Sequence, residues 1–470
     1  MALNIDFSKE TTRGVAIDLY RRYIREKHKF QVLYLGTGKG KTAMAIALAG
    51  IFAAKLKQDI NVFVIAPPKK LEDLMWDETI KEYNQIAKYK LNLVEKATPR
   101  GLTNANKNDK LLKRDIKKMS KYRQENMKFL SKWYKQTLET PTIFLVDEAH
   151  HFKNAASKQS KALQKLMKNS TGIGLSGTAL TNGEVQDGIG YLVLNGYYSS
   201  KDKFYKEHVP FNFRDKFYRP DIYTEDGEID PYRFKNLDLF KKNIRNTIYA
   251  PIIEVDFDIP EGNPIQYLYE LSPKTKSKMK KHHMDYHERR YDSYMMYLND
   301  LRRAIGEDKA HARELIRIIK HYKPKQPLIF YYTNAELNNI EYALDAINMP
   351  YKRINGHNNS DSITTIDLED TNQAILIQYK SGGEAIEFKN SNMSIFFGLQ
   401  YSWGDTQQAL GRNIRYGMDK NIVVNQVFMV ASNHHDIKVL EALQRKQEFT
   451  EKFMKQLAQE IMEESLEEIE

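Results

Sequence analysis

"VLYLGTGKGKT", Val32 to Thr42, runs four mostly apolar residues into three glycines, two lysines and two threonines. Such a run is a buried strand opening into a loop that cradles phosphate. Gly36, Gly38 and Gly40 free the backbone to turn its N–H groups toward an anion, with Thr37 and Lys39 completing the loop. Lys41 then reaches the β- and γ-phosphates, and the Thr42 hydroxyl is suited to ligate Mg²⁺. The next residues, "AMAIALAGIFAAKL", read as a helix whose positive N-terminal end faces the same anion. The full pattern has a glycine where Leu35 stands, so the nucleotide reading leans on the strand–loop–helix context.

Working outward, strand-like runs recur at "VFVIAP" (Val62–Pro67), "TIFLVDE" (Thr142–Glu148) and "GIGLSGT" (Gly172–Thr178), with helical patterns between them. The alternation returns at "PLIFYYT" (Pro327–Thr333), "AILIQY" (Ala374–Tyr379), "MSIFFGL" (Met393–Leu399) and "VVNQVFMV" (Val423–Val430). The pattern predicts two α/β units with parallel sheets. Between them, Tyr191–Lys323 mixes extended segments such as "APIIEVDFDIP" with charged helical stretches. At 470 residues the chain has room for two or three domains.

Composition narrows the class. The chain is 41% hydrophobic and 11% aromatic, which is globular rather than disordered. Zero cysteines exclude disulfides and thiolate metal sites. The start, "MALNIDFSKE", predicts no secretory signal, and the longest apolar run is too short to span a bilayer. The expectation is a cytoplasmic protein with no membrane partner. Lys plus Arg outnumber Asp plus Glu by 72 to 61, and the excess is clustered. Leu91–Thr140 holds thirteen basic against five acidic residues, and Lys274–Lys325 fifteen against seven. The last eleven residues, "EIMEESLEEIE", carry six glutamates. Two basic regions suit a polyanion partner, or a solvated lysine-rich surface. His282, His283 and His287 share a helix face but lack a carboxylate cage at metal spacing, and read as surface histidines.

"FLVDEAHHFKN" delivers two adjacent carboxylates to a strand's C-terminal end, where ligands bind in open α/β sheets. Asp147 is suited to hold Mg²⁺ through water, and Glu148 to orient and deprotonate an attacking water.

With these residues in place, "TGKGKT", "DEAH", "LSGTALTNG" (Leu175–Gly183) and "QQALGRNIR" (Gln407–Arg415) resemble motifs I, II, III and VI of superfamily 2 helicases and translocases. The Swi/Snf-like branch is the nearest in flavour. It is resembled at "VFVIAPPKKLEDLMWDETIKEYN" (motif Ia), "PLIFYYTNAELNNIEYAL", "YKRINGH" and "KSGGEAIEFKNSNMSIFFG" (motif V). The resemblance runs in order from Gln31 to Val430. It implies two tandem RecA-like parallel-sheet lobes with a helical, basic inter-lobe insertion. The corresponding division is 1–250 for the ATP-binding lobe with a basic insertion near 107–138, 251–325 for a linker, 326–440 for the second lobe and 441–470 for an acidic helix.

The resemblance also implies roles. His150, Ser176 and Thr178 would couple the nucleotide site to the nucleic-acid surface. Arg412 and Arg415, with Gln408 in the same motif, would act on the γ-phosphate from the second lobe. Pro67, Lys69, Ser381 and Gly382 fall where the family touches the nucleic-acid backbone, a contact that carries no sequence information. ATP and Mg²⁺ are the implied cofactors, and DNA the implied partner of a motor expected to be a monomer. Phage replication helicases resemble this cysteine-free, lysine-rich chain, which adds replication or recombination proteins as partners. Two departures stand out. No clear adenine-reading glutamine precedes the loop, Thr12 and Arg13 being weak substitutes, and Thr406 stands where the family has an acid. Competing readings are an RNA-dependent ATPase, whose families favour "DEAD" with "SAT", and a nucleotide-gated DNA-binding scaffold.

The stretch Lys107–Leu138 lies between motifs Ia and II, with Leu112, Ile116, Met119, Leu130 and Trp133 near helical spacing. Its lysines are expected to lie beside the nucleic-acid path, although "KKMSKY" also suits the family's motif Ib. Reversing Lys113, Arg114, Lys117 and Lys118 to glutamate is expected to weaken DNA binding and DNA-stimulated ATPase while sparing nucleotide binding. Unchanged DNA affinity in the folded quadruple variant, measured by fluorescence anisotropy, would return the segment to solvated surface.

Overall fold

The computed structural model describes residues 10–26, 28–36, 39–72, 74–103, 137, 140–178, 185–210, 233–251, 261–354, 370–379, 388–414, 418, 421–432 and 435–445. The chain divides into two compact units, one holding the residues up to Val255 and the other those from Asp256 to Glu448.

The first unit is built on β1 (Phe30–Tyr34), β2 (Ile60–Ile65), β3 (Leu91–Ala97), β4 (Thr142–Asp147), β5 (Thr171–Ser176) and β6 (Ile248–Tyr249). They form one sheet in the order β3-β2-β4-β5-β1-β6, every pairing parallel. Its helices are α1 (Glu10–Glu26), α2 (Lys41–Leu56), α3 (Pro68–Glu72), α4 (Met75–Ile86), α5 (Lys158–Leu166), α6 (Ile189–Asn195), α7 (Lys201–His208) and α8 (Leu237–Thr247). All of β4, "TIFLVD", is buried. A strand apolar along its whole length belongs in a parallel sheet with both faces covered, because crossover helices lie on each side. Phe63 and Phe144 stack across β2 and β4 at 5.0 Å between ring centroids.

The second unit repeats the scheme with β7 (Gly262–Tyr269), β8 (Leu328–Tyr331), β9 (Tyr351–Ile354), β10 (Ala374–Gln378), β11 (Met393–Phe396) and β12 (Val424–Ala431). The order is β7-β12-β11-β8-β10-β9, again parallel throughout. Its helices are α9 (Pro273–His287), α10 (Tyr294–Gly306), α11 (Lys309–Tyr322), α12 (Asn334–Asp345) and α13 (Trp403–Leu410), followed by α14 over 435–445. Phe330, Phe396 and Phe428 stack in sequence across β8, β11 and β12. Thr333 and Glu336 form a reciprocal capping box at the start of α12. Two six-stranded parallel sheets with crossover helices make two RecA-like α/β lobes.

The strands expected from the sequence are all present. One boundary moves. The division by sequence leaves 251–325 as a linker, whereas β7 pairs along its whole length with β12 and α9 to α11 belong to the second unit. The reason is local. "GNPIQYLY" opens on Gly, Asn and Pro, residues that signal a loop, and an edge strand tolerates proline because one side of its ladder is unpaired. The basic stretch 107–138 lies outside the described residues apart from Thr137, as does 446–470 of the acidic end. Among the described residues no helix is long and apolar enough to cross a membrane.

Gly190 in α6 tests the packing behind the β4 loop. Its N–H donates to the Lys153 carbonyl at 2.9 Å, and a Cβ there would stand 2.2 Å from the Phe152 oxygen. Backbone cannot move aside as a flexible side chain can, so Gly190→Ala is expected to cost about 3 kcal/mol or more. Gly14, in α1, has nothing within 4 Å of an added Cβ. Gly14→Ala is therefore expected to stabilise by about 0.5–1 kcal/mol. Calorimetric melting of the two variants should move in opposite directions.

Candidate nucleotide-hydrolysis site

The strand order of the first sheet sets β5 between β1 and β4, so the loops leaving these three strands converge at one edge. Register fixes them closely: Tyr34 lies opposite Ser176, and Asp147 opposite Leu175. The carboxyl edge of a parallel sheet is where α/β proteins bind ligands.

From β1 the chain passes Leu35 and Gly36 and enters α2 at Lys41, with Gly40 as N-cap at φ 74°. That left-handed geometry suits glycine, since a Cβ there would crowd the following carbonyl. Lys41 Nζ donates to the carbonyls of Leu35 and Gly36 at 2.8 and 2.9 Å, which folds the ammonium back over the loop. Lys39 and Thr42 are half-buried beside it, while Thr37 and Gly38 lie outside the described residues.

From β4 the chain delivers Asp147, only 2% exposed, whose Oδ1 accepts the Glu148 N–H at 2.9 Å. Glu148 adopts φ 50°, ψ 54°, an uncommon conformation for a residue with a side chain and one found at functional turns. Its Oε1 accepts a hydrogen bond from Lys70 Nζ at 3.1 Å, and the same ammonium lies 3.0 Å from Asp147 Oδ2. Its Oε2 lies 3.4 Å from His150 Nδ1. From β5, Ser176 Oγ accepts the Thr178 N–H at 3.0 Å, and Thr178 Oγ1 lies 3.4 Å from that same His150 nitrogen. A polar chain thus runs from Lys70 through Glu148 and His150 to Thr178.

Electrostatics follow from this crowding. Burial works against charge on Glu148, yet Lys70, His150 and Lys41 together hold its carboxyl well below the usual range. Burial likewise opposes charge on Lys70, but Asp147 and Glu148 more than offset it and raise the ammonium above its ordinary value. Both groups are ionised at neutral pH. An ionised carboxylate is the form able to accept a proton from water. The influence of Lys41 on Glu148 also shows that the loops after β1 and β4 share one electrostatic site.

Lys41, Asp147, Glu148, His150, Ser176 and Thr178 are therefore brought together. Lys70 is a member that sequence reading passed over in favour of Lys69. The available signal was Pro68, which favours the first turn of a helix and so starts α3 there, turning the second lysine toward the sheet edge. Lys69 lies on α3, and Pro67 just before it is buried, its carbonyl accepting the Leu71 N–H at 3.3 Å. Thr12 is buried on α1 and Arg13 exposed. Thr42 and Asp147 offer a hydroxyl and a carboxylate, hard oxygen donors. Asp147 is buried facing a cation, so the pair fits Mg²⁺, which binds through few carboxylates plus substrate phosphates rather than a protein cage. Among the described residues no group of three or more His, Cys, Asp or Glu could hold a metal.

In the second unit, Gln408 is half-buried on α13 and Arg412 just beyond it is buried, its carbonyl accepting the Phe388 N–H at 3.2 Å. Thr406 is buried and spends its hydroxyl on the Ser402 carbonyl at 3.0 Å. Arg415, Ser381 and Gly382 lie outside the described residues. On α9, His282 and His283 each meet a tyrosine hydroxyl at 2.6 Å, those of Tyr291 and Tyr297.

The fold and this site define a P-loop nucleotide-binding protein of two RecA-like lobes. Residues 9–180 match the family of the type III restriction enzyme res subunit, and residues 310–417 match the helicase conserved C-terminal domain. The chain belongs to the superfamily 2 helicases and translocases, and is a nucleic-acid-dependent ATPase. Similar solved structures include the Sulfolobus solfataricus SWI2/SNF2 ATPase core in complex with dsDNA. It is 15% identical, with 88% of this chain and 87% of that chain covered at a TM-score of 0.36. The C-terminal part of the Fun30 ATPase domain is 14% identical, with 39% of this chain and 89% of that chain covered at a TM-score of 0.34. No curated protein matches the chain.

Gly40 offers a direct test of the loop. With open space around an added Cβ, substitution meets only backbone strain. Gly40→Ala is expected to weaken nucleotide binding by about 1–2 kcal/mol. Gly40→Asn should lose less, because asparagine tolerates the left-handed region; titration with a fluorescent nucleotide would compare them.

Proposed function

We propose that the protein is an ATP-driven translocase or helicase on DNA, of the Swi/Snf-like branch, with little sequence preference. The observation that carries the reading is the linked set Lys41, Asp147, Glu148, His150 and Thr178 at one sheet edge, with Glu148 held ionised. A scaffold that only bound nucleotide would have no need of a half-buried, charged base beside the phosphate loop. The sequence "DEAH" with "SGT", where RNA-dependent branches favour "DEAD" with "SAT", supports DNA over RNA. Replication or recombination in a phage-infected bacterial cytoplasm is the setting that fits the family flavour.

In this reading the P-loop lysine binds the β- and γ-phosphates and the following hydroxyl, with Asp147, holds Mg²⁺. When bound, the ion neutralises charge developing on the phosphates. Glu148 orients the attacking water and takes its proton. His150, Ser176 and Thr178 report the state of that site toward the polynucleotide, for which Pro67, Lys69, Ser381 and Gly382 supply backbone contacts. Arg412 and Arg415, with Gln408, stabilise the charge on the transferred phosphoryl group.

Turnover measured without polynucleotide, and with single-stranded DNA, duplex DNA or RNA, tests the assignment. DNA is expected to stimulate, and stimulation by RNA alone would overturn it. Lys41→Ala is expected to lose nucleotide affinity. Glu148→Gln should bind nucleotide yet lose turnover by about 10²–10⁴. Arg412→Ala should lose about 10³ or more in turnover while retaining DNA binding. Near-normal turnover in Glu148→Gln would remove Glu148 from the role of base.

A further inference from the structure

The ammonium of Lys70 stands between the two carboxylates that the hydrolysis site depends on. It lies 3.0 Å from Asp147 Oδ2 and 3.1 Å from Glu148 Oε1. Nothing in the proposed chemistry uses a lysine there. The phosphate-binding lysine is Lys41, which is held by the carbonyls of Leu35 and Gly36. Lys70 belongs to a different element, the short helix α3 that follows β2.

Two consequences follow from charge and size. A divalent cation held at Asp147, directly or through a bound water, would bring a second positive charge to the carboxylate that Lys70 faces. An ammonium already 3.0 Å from that carboxylate would be repelled by the incoming cation. Second, the ammonium takes one of the acceptor positions on Glu148 Oε1, so a water must compete with Lys70 for that oxygen. His150 Nδ1 stands 3.4 Å from the other oxygen, which narrows the directions from which a nucleophile can be held. With Lys70 in place the site is charged and well paired, and its ammonium occupies positions that the metal and the water would need.

The side chain of Lys70 is 21% exposed, so the ammonium has a route to solvent. Its helix continues directly from Pro67 and includes Lys69, the positions assigned above to the nucleic-acid backbone. A phosphodiester is an alternative anionic partner for the same ammonium.

We infer that Lys70 is a positioning residue that competes with the divalent cation for Asp147 and with water for Glu148, and that it transfers to a polynucleotide phosphate when the site is loaded. This rests on the reading of the protein as a DNA-stimulated ATPase and deepens it, since it names how the two sites exchange one charge. Polynucleotide then stimulates turnover by drawing Lys70 away from Glu148. Metal-bound nucleotide, by releasing Lys70, strengthens polynucleotide binding in return, as linkage between two sites requires.

The test uses the full chain carrying Lys70→Met, which keeps the aliphatic stem and removes the charge, and Lys70→Arg, which keeps a cation. Fluorescent-nucleotide binding is titrated with Mg²⁺ in the absence of polynucleotide. ATP turnover is measured with and without duplex DNA. In Lys70→Met, half-saturating Mg²⁺ is expected to fall, and turnover without DNA to rise, each by about fivefold or more. The stimulation ratio should shrink accordingly, whereas Lys70→Arg, whose two-pronged grip on a carboxylate is harder to release, should keep turnover without DNA at or below the wild-type level. Melting with and without Mg²⁺ and ADP controls for folding, the Met variant gaining more from the ligand than the wild type. Unchanged Mg²⁺ dependence with unchanged or lower basal turnover in folded Lys70→Met overturns the inference. Absence of DNA stimulation in the wild type overturns the motor reading instead, and the Mg²⁺ titration still decides the cation competition by itself.

Discussion

Two adjacent carboxylates at the end of a wholly buried strand are the constraint around which the first lobe is arranged. Asp147 closes β4 at 2% exposure, and Glu148 follows in a left-handed turn. Taking such charges out of water costs several kcal/mol per ion unless cations and hydrogen bonds compensate. The compensation comes from three directions in the chain: Lys70 from the helix after β2, His150 from the turn after β4, and Lys41 from the start of α2. Placing β4 and β5 in the middle of the sheet, with β1 and β2 on either side, is what makes this convergence possible. Removing any one of these partners leaves the carboxylate pair less well compensated, so electrostatics and topology constrain each other.

That arrangement explains which parts of the molecule were legible beforehand. Central parallel strands announce themselves as unbroken apolar runs, and "TIFLVD", "LIFY" and "MSIF" are all fully buried. The glycine-rich loop and the acidic pair were legible because each has one chemical use at a strand's C-terminal end. Edge strands carried weaker signals. β3, "LNLVEKA", is largely half-buried and has Glu and Lys within it, while β7 begins with turn residues. Such strands are held by backbone pairing to a neighbour, a property of tertiary context that periodicity does not record.

Lys70 was illegible for a different reason. A lysine beside a lysine in "PPKK" reads as surface charge, and only the direction of a five-residue helix separates one from the other. The anions that attract it lie 77 and 78 residues further along the chain. Long-range ion pairing inside a site has no local sequence period, so a motif description catches the carboxylates and misses the cation that faces them.

The choice of lysine at this position also has physical content. An arginine would grip a carboxylate through a planar, two-pronged pair of hydrogen bonds, with a large gain in geometry and little tendency to leave. Lysine presents a compact, strongly hydrated charge on four rotatable methylenes, so it can trade one anion for another by turning its stem. The helix beneath it is one short turn and is anchored by buried Pro67, which fixes the Cα while leaving the ammonium its reach. A fixed base with a mobile charge is the minimum needed for one cation to serve two anionic partners in alternation.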